Sequence, residues 1–454
     1  MMSPPDDASA SEASGWRRPR HRRSLSEVYG SIATATEASP RRRFWAFFGP
    51  GLLVAVGYMD PGNWATDLAG GARYGYLLLS VVLLSNLFAM LLQHLAVKLG
   101  LATGRDLAQA CRDAYPTPVA MALWVLAEIA IAATDLAEII GTALALNLLF
   151  GLPLPVGVVL TVFDVAIVLA LQRFGFRWIE AVVGGLIAII GAAFLYEIVV
   201  SQPVWADVAA GLLPSPRIVT EPGALYLAVG ILGATVMPHN LYLHSAIVQT
   251  RQVEPDEPSV RKAIRYATVD SSAALSMAFF VNAAILVLAA ATFHGTAHAD
   301  VADIHDAYLL LSPTLGAPLA SVLFAVALLA AGQNSTLTGT IAGQVVMEGF
   351  LNLRMKPWAR RLLTRLVAVI PAAWVAVVYG ERGTGELLVL SQVVLSLQLS
   401  FAVVPLVMLT SSRAKMGPFA NGPRLRVLAW AVTAVIAGLN GYLLWETVRN
   451  GLGS

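Results

Sequence analysis

The sequence contains few charged residues and a single cysteine. Only 13% of its 454 residues are Asp, Glu, Lys or Arg, whereas soluble domains contain about 25%. This scarcity excludes an ordinary soluble enzyme. The lone Cys111 excludes an intramolecular disulfide framework. A net charge of +2 gives no reason to expect nucleic acid as a partner.

The N-terminal region also lacks the short apolar stretch and small-residue cleavage site that a secretory signal would have. Residues 1–43 are instead rich in Ser, Pro and Arg. A segment of this composition buries too little apolar surface to fold alone. We therefore expect residues 1–43 to form a disordered, water-exposed tail.

Beyond the tail, long uncharged stretches alternate with short polar loops. Hydrophobic residues make up 57% of the chain, and its mean hydropathy is +0.69. Since a transmembrane helix needs about 20 apolar residues, the pattern predicts an all-α polytopic membrane protein with eleven transmembrane helices. The predicted spans are 45–71, 75–99, 119–147, 153–172, 178–200, 223–249, 267–293, 310–346, 363–380, 386–411 and 427–447.

The basic residues indicate how these spans are oriented. With the N-terminal tail inside, all but four of the 30 basic residues fall on the cytoplasmic side. The four exceptions are Arg73, Arg217, Arg382 and Arg449. Because cytoplasmic loops carry an excess of Lys and Arg, we expect a cytoplasmic N-terminus and an external C-terminus. The absence of an organelle address favours a bacterial inner membrane.

Two predicted spans are interrupted by proline. In the first span, Asp60 precedes Pro61 and Gly62, and in the sixth span Met237 precedes Pro238. Proline removes a backbone donor, and glycine lowers the cost of non-helical backbone. Both helices should therefore unwind in mid-membrane. A simple kink at each proline is the alternative, but polar side chains flank both sites.

Interruptions in helices one and six imply two repeats of five helices. Because five is odd, the second repeat has inverted topology, and transporters built in this way bind substrate near the membrane midplane. The first repeat would span residues 44–211 and the second 212–412. An eleventh helix would follow in residues 413–454.

The residues around the two breaks predict a binding site for a soft divalent cation. The candidate ligands are the Asp60 carboxylate, the Asn63 amide, the carbonyls near Gly57 and Ala234, and the Met237 thioether. Oxygen donors alone would suit Mg²⁺ or Ca²⁺, whereas sulfur favours a first-row transition ion. His239 faces away from Met237 on a helix, which favours a proton-handling role.

The third predicted helix carries three acids in an apolar run, namely Glu128, Asp135 and Glu138. Acids in hydrocarbon are costly unless they are paired, protonated or hydrated. This row therefore predicts a proton pathway, although the acids could instead only hold helices together. Arg360 and Arg361, at the start of helix nine, are candidate partners. Asp164, in helix four, has no evident partner in the sequence.

These motifs resemble those of the natural resistance-associated macrophage protein (Nramp) family of divalent metal transporters. The similar segments are Asp60-Pro61-Gly62-Asn63, Met237-Pro238-His239, and residues 133–138, 332–336 and 391–393. The resemblance implies a LeuT-type fold and proton-coupled import of Mn²⁺ or Fe²⁺ by alternating access. Metal ions and protons would then be substrates, and no cofactor or obligatory protein partner is expected.

The resemblance also assigns roles by position. It implies that the metal ligands are Asp60, Asn63, Met237 and the Ala234 carbonyl, joined in some conformations by the Gly57 carbonyl and Gln392. It further implies a salt-bridge network between helices three and nine. Both Asp60 and Met237 are present, unlike in the relatives that transport magnesium or aluminium.

Three other functions compete with this interpretation. An organic-solute symporter, such as one for amino acids, would bind a carboxylate at half-helix N-termini, where Asp60 would repel it. A membrane metalloenzyme would need an open metal site and a general base, but the sequence has no His-Glu-x-x-His motif. A channel would need no alternating access.

Overall fold

The computed structural model describes residues 15–19, 23–34, 45–164, 176–296, 304–353, 357–378 and 380–451. Most of these residues are helical. Eight described helical segments are long and apolar enough to cross a membrane, and one of them, Ala224–Thr250, is interrupted.

The helices of the first half are α1 (Pro50–Gly57), α2 (Pro61–Tyr74), α3 (Leu79–Thr103), α4 (Leu107–Ala114), α5 (Thr117–Phe150), α6 (Leu154–Leu160), α7 (Phe176–Ser201), α8 (Trp205–Gly211) and α9 (Arg217–Thr220). Those of the second half are α10 (Ala224–Thr235), α11 (Pro238–Ile247), α12 (Glu257–Phe293), α13 (Ile304–Leu315), α14 (Ala320–Leu351), α15 (Pro357–Val378), α16 (Gly380–Ser411), α17 (Arg413–Met416) and α18 (Pro423–Gly451).

The predicted spans correspond to these helices, but some spans consist of two separate helices. The first span consists of α1 and α2, and the sixth consists of α10 and α11. The eighth span was predicted to begin at residue 310, but α13 and α14 are separate helices there. Gly316 lies between them with φ +63°, a conformation that glycine adopts without strain. The fourth span continues from α6 towards residues 165–175, which lie outside the described residues.

The helices form a bundle around a continuous apolar core. Helix α12 packs along α1, α2 and α3, while α5 packs against α14, α15 and α16. Many large apolar side chains lie on the outer surface of the bundle, among them Leu195, Phe280, Ile370 and Val427. An apolar exterior around a core that also holds polar groups is suited to a lipid environment.

Part of the predicted tail is packed onto one end of the bundle, which we call the N-terminal face. This face consists of the described residues 15–19 and 23–34 and the connecting segments 104–116, 248–256 and 412–422, of which the first contains α4 and the last contains α17. Strand β1 (Ile32–Ala33) pairs in parallel with β2 (Arg251–Gln252). The described residues 15–19 and 23–34 are therefore ordered, which corrects the prediction of disorder for them.

Trp16 and Leu25 anchor this segment. The Arg105 guanidinium lies 4.4 Å from the centre of the Trp16 ring, and Lys415 lies over the same ring at 5.1 Å. The backbone N–H of Leu25 donates to the Glu348 carboxylate over 2.9 Å. Composition could not predict these contacts, because they depend on one tryptophan and on backbone groups.

Candidate metal-binding site

The first break is organised by Asp60 and Pro61. Pro61 occupies the first position of α2, where its missing N–H and fixed φ cost nothing. Asp60 caps the same helix, and its Oδ1 accepts a hydrogen bond from the Asn63 backbone N–H over 2.8 Å. The cap leaves the second carboxylate oxygen of Asp60 available. Residues 58–60 thus connect two helices whose ends meet inside the protein.

The second break has the same construction around Pro238. Helix α10 ends at Thr235, and Pro238 occupies the first turn of α11. Met237 stands at the N-cap position but makes no side-chain capping bond. Its thioether is fully buried and remains available for another partner.

The prolines also explain which backbone carbonyls are freed. In an unbroken helix the carbonyl of Gly57 would accept from residue 61, and that of Ala234 would accept from residue 238. Both of those residues are proline, which has no N–H. The two carbonyls predicted as ligands therefore lose their helical donors for the same reason.

Two glycines allow the broken helices to approach their neighbours. A Cβ built on Gly57 would lie 2.2 Å from the Asn240 side-chain nitrogen, so α1 meets the start of α11 there. A Cβ on Gly62 would lie 1.8 Å from Nε2 of Gln392 in α16. The structure therefore brings Gln392 directly against the first break.

Several buried acceptor atoms around the breaks have no hydrogen-bond partner among the described residues. They are Asp60 Oδ2, Asn63 Oδ1 and Gln392 Oε1. Leaving such an atom unpaired in the interior costs about 1–3 kcal/mol. Unpaired oxygen atoms on residues around one helix break are acceptors that a bound cation would satisfy.

The candidate ligands are buried from solvent. Asp60, Asn63, Met237 and Gln392 are each at most 1% exposed. The described residues contain no group of three His, Cys, Asp or Glu side chains that could hold a metal ion. The predicted ligand set contains one carboxylate together with amide, carbonyl and thioether donors.

His239 faces α5 beside the candidate site. Its Nδ1 lies 3.3 Å from the Thr134 hydroxyl, and Asp135 lies within electrostatic reach of the imidazole. Glu138, one turn further along α5, lies within electrostatic reach of Asp60. The structure thus places His239, Asp135 and Glu138 in one region next to the first break.

Arg365 in α15 contacts two of the buried acids. Its guanidinium contacts Glu138 Oε2 and Asp164 Oδ2, each over 3.1 Å. The side chains of the predicted partners, Arg360 and Arg361, lie outside the described residues. Sequence reasoning missed Arg365, although an arginine one turn deeper in an apolar helix needs a buried partner.

Glu128 lies towards the start of the same helix, α5. It is half-buried and accepts a hydrogen bond from the Trp124 indole over 3.1 Å on its own helix. Its place in the predicted row of acids remains a prediction.

A second polar network, which the sequence did not reveal, ties down the start of α1. Asp270 of α12 accepts hydrogen bonds from the backbone N–H groups of Gly49 and Gly51, over 3.3 and 2.7 Å. Arg251 donates to the carbonyls of residues 46 and 48 and forms a 2.8 Å salt bridge with Glu180 of α7. The sequence did offer a sign of this network, because Glu180 and Asp270 are acids inside the predicted spans five and seven.

Comparison with known proteins agrees with this architecture. Residues 51–446 match the model of a family described as natural resistance-associated macrophage protein-like. The chain is 58% identical over 432 residues to a divalent metal cation transporter, MntH, of Agrobacterium fabrum, covering 95% of this chain and 94% of that protein.

Solved structures give the same result. A manganese transporter of Eremococcus coleocola superposes with a TM-score of 0.85 at 44% identity, covering 92% of this chain and 90% of that chain. MhsT in complex with L-phenylalanine is 14% identical, with a TM-score of 0.58 over 86% of this chain and 98% of that chain. The latter similarity concerns the fold alone. Together these structures confirm the predicted LeuT-type fold.

Proposed function

Because the chain belongs to the natural resistance-associated macrophage protein-like family, we propose that it imports Mn²⁺, and with it Fe²⁺, by proton-coupled alternating access. The family makes it a divalent metal cation transporter and not an enzyme. The observation that carries the finer proposal is the set of unpaired, buried donor atoms where the two broken helices meet.

In this proposal the metal ligands are Asp60, Asn63, Met237 and the Ala234 carbonyl, with the Gly57 carbonyl and Gln392 joining in some conformations. The two carbonyls are proposed because Pro61 and Pro238 remove their helical donors. Asp60, Asn63 and Gln392 are proposed because each has a buried oxygen without a hydrogen-bond partner among the described residues. The Met237 sulfur would select a softer ion over Mg²⁺ and Ca²⁺. Metal ions and protons are the substrates, and the proposal includes no cofactor.

Burial of the site supports alternating access. An ion held at Asp60 cannot reach either side while the ligands are at most 1% exposed. Transport therefore requires the helices to open one side at a time. We expect the moving parts to be the short helices beside the breaks. Helices α1 and α10 end at a break, and α2 and α11 begin at one.

We further propose that protons follow a route separate from the metal. Metal binding favours ionised Asp60 and releases any proton it holds. Coulomb repulsion then opposes a proton staying beside the metal ion in a low-dielectric cavity. His239, Asp135 and Glu138 lie on the α5 side of the site and would carry the proton away, with Glu128 further along the helix.

An organic-solute symporter remains the competing function with the same fold. A substrate carboxylate would have to approach the starts of α2 and α11. The carboxylate of Asp60 is fully buried there, and it would repel a second negative charge. This feature favours a cation as the substrate.

For the orientation, we propose that the N-terminal face is cytoplasmic, in a bacterial inner membrane. Reporter fusions at the two ends should then give opposite locations, because an odd number of spans separates them. A reporter inserted at the exposed Gly422 of the N-terminal face should match the N-terminal fusion. Fusions reporting the same side at both ends would contradict the eleven-span topology.

Met237→Ala should weaken discrimination between Mn²⁺ and Ca²⁺ by about tenfold or more, corresponding to about 1.4 kcal/mol. The variant keeps the oxygen ligands and deletes the only sulfur donor. The measurement is competitive uptake into proteoliposomes with Mn²⁺, Fe²⁺, Cd²⁺, Mg²⁺ and Ca²⁺, with and without a pH gradient. Met347→Ala is the matched control, since Met347 is also buried but lies in α14. Unchanged selectivity in Met237→Ala would mean that Met237 only packs.

A further inference from the structure

An apolar groove with a volume of about 460 Å³ lies on the outer surface of the bundle between α7 and α12. Its described lining residues are all apolar, and helices α3 and α8 contribute some of them. Small residues make the groove deep, namely Gly191 in α7 and Ala283 and Ala284 in α12. A Cβ built on Gly191 would meet no atom within 4 Å. The residues of the candidate metal-binding site do not line this groove.

Tight packing fixes the walls of the groove. Phe194 lines it and is only 2% exposed, and its ring centre lies 4.8 Å from that of Trp64 and 6.4 Å from that of Phe324. At one end, α8 is pressed onto the residues before α3, because a Cβ on Gly211 would lie 2.5 Å from the Tyr76 carbonyl oxygen. The groove is therefore preformed, as ligand-binding pockets usually are.

The groove occupies the half of the bundle that lies away from the N-terminal face. Helix α12 begins beside that face at Glu257, and its lining residues run from Met277 to Val287, towards its other end. This stretch of helix rises about 15 Å. One leaflet contributes half of a hydrocarbon core that is about 30 Å thick, so the groove is as long as one leaflet is deep. At its far end, Trp205 is 64% exposed, as is typical of tryptophan at a membrane–water interface.

We infer that this groove binds one acyl chain of a membrane phospholipid, with the headgroup beside α8. A single hydrocarbon chain matches the apolar lining and the length of one leaflet. A helix from a second copy fits less well, because 15 Å of helix with its side chains occupies about 1,200 Å³. The exposed Asp207 of α8 lies next to the lining residue Val208, and its carboxylate would repel an anionic headgroup. A headgroup without net charge is therefore favoured.

The test uses phosphatidylethanolamine that carries a photoactivatable diazirine in the middle of one acyl chain. The full-length protein is reconstituted with this lipid, illuminated and analysed by mass spectrometry. Leu195 and Phe280 of the groove are 68% and 69% exposed, while Ile370 and Val377 on α15 are each 69% exposed. Residues 191–198 and 277–287 should be labelled about fivefold more than residues 370–377, because a pocket encloses most of its ligand. Equal labelling would overturn the inference, since general contact with the bilayer produces that result.

Gly191→Phe should fill the groove and remove this excess labelling from residues 277–287. Gly185→Phe is the matched control, since Gly185 also lies in α7 with no atom within 4 Å of an added Cβ but does not line the groove. Ala284→Phe fills the groove from α12 and should remove the excess from residues 191–198. Excess labelling that persists in both filling variants would overturn the inference, as would an equal loss in Gly185→Phe. A groove that the lipid leaves unlabelled in the wild-type protein would point to another occupant, such as a second copy.

A fatty acid with the same diazirine tests whether the acyl chain comes from a phospholipid. Its carboxylate would approach Asp207, so it should label the groove less than the phosphatidylethanolamine probe does, and Asp207→Asn should reduce this difference. Stronger labelling by the fatty acid in the wild-type protein would overturn the assignment to a phospholipid.

Discussion

Asp60→Asn is expected to abolish Mn²⁺ binding and transport while leaving the fold intact. Asp60 has two separable tasks in the structure. Its Oδ1 caps α2 through the Asn63 N–H, and its Oδ2 is buried without a hydrogen-bond partner in the described part of the chain. Asparagine caps helices about as well as aspartate, so the substitution keeps the first task. It removes the only carboxylate among the proposed ligands and with it the charge that favours a divalent ion.

The measurement is isothermal titration of detergent-solubilised protein with Mn²⁺, together with uptake by proteoliposomes. We expect a loss of at least about 100-fold in affinity, corresponding to about 2.7 kcal/mol. Asp60→Ala should also abolish transport, but it should lower the melting temperature as well, because alanine cannot cap. Wild-type Mn²⁺ affinity in Asp60→Asn would exclude Asp60 as a metal ligand.

The broken helices could be predicted from the sequence because proline acts locally. A missing N–H at Pro61 or Pro238 frees the carbonyl four residues earlier, whatever the tertiary structure. Asp60 follows the same logic, since Asp before Pro at a helix start is a local capping signal. The candidate ligands on these two segments are therefore the part of the predicted site that follows most directly from the sequence.

The ion pairs could not be predicted in the same way, because they join residues far apart in sequence. Arg365 contacts Glu138 and Asp164 from another helix, and Asp164 had no evident partner until the helices were placed. Helix nine offers several arginines, and which of them faces α5 depends on the rotation of the helix. The periodicity of an almost uniformly apolar helix does not fix that rotation.

The N-terminal segment shows a different limit. Its composition is that of a disordered chain, yet Trp16 and Leu25 are buried against the loops of the N-terminal face. A short segment that docks onto an existing surface needs only a few anchors. Average composition cannot reveal them, since most of the segment remains polar.

The network at the start of α1 leads to the second large effect. Arg251→Ala should shift the protein towards a state open at the N-terminal face. In the structure Arg251 is fully buried and ties residues 46 and 48 to Glu180 of α7. Its removal takes away the hydrogen bonds that hold the residues before α1, and it leaves the buried Glu180 with fewer partners. Breaking a buried pair in this way costs about 3–5 kcal/mol, and we expect that cost to fall on the closed state, in which the pair is formed.

Cysteine accessibility measures this shift. Cys111 is the only native cysteine and is buried, and burial raises the pKa of its thiol, so Cys111→Ser removes a background that is already small. Ala55→Cys, in the middle of α1, should be unreactive in the closed protein and should label with Arg251→Ala. Gly422→Cys, on the exposed N-terminal face, gives the reference for full labelling.

Arg177 offers the matched comparison, because it also contacts Glu180 and the carbonyl of residue 48. Its side chain is 47% exposed, and exposed ion pairs contribute only about 0–1 kcal/mol. Arg177→Ala should therefore change Ala55→Cys labelling much less than Arg251→Ala does. Equal labelling in the two variants would show that burial of the Arg251 pair does not hold α1 closed. Stronger labelling in Arg177→Ala than in Arg251→Ala would show that Arg177 holds α1 closed.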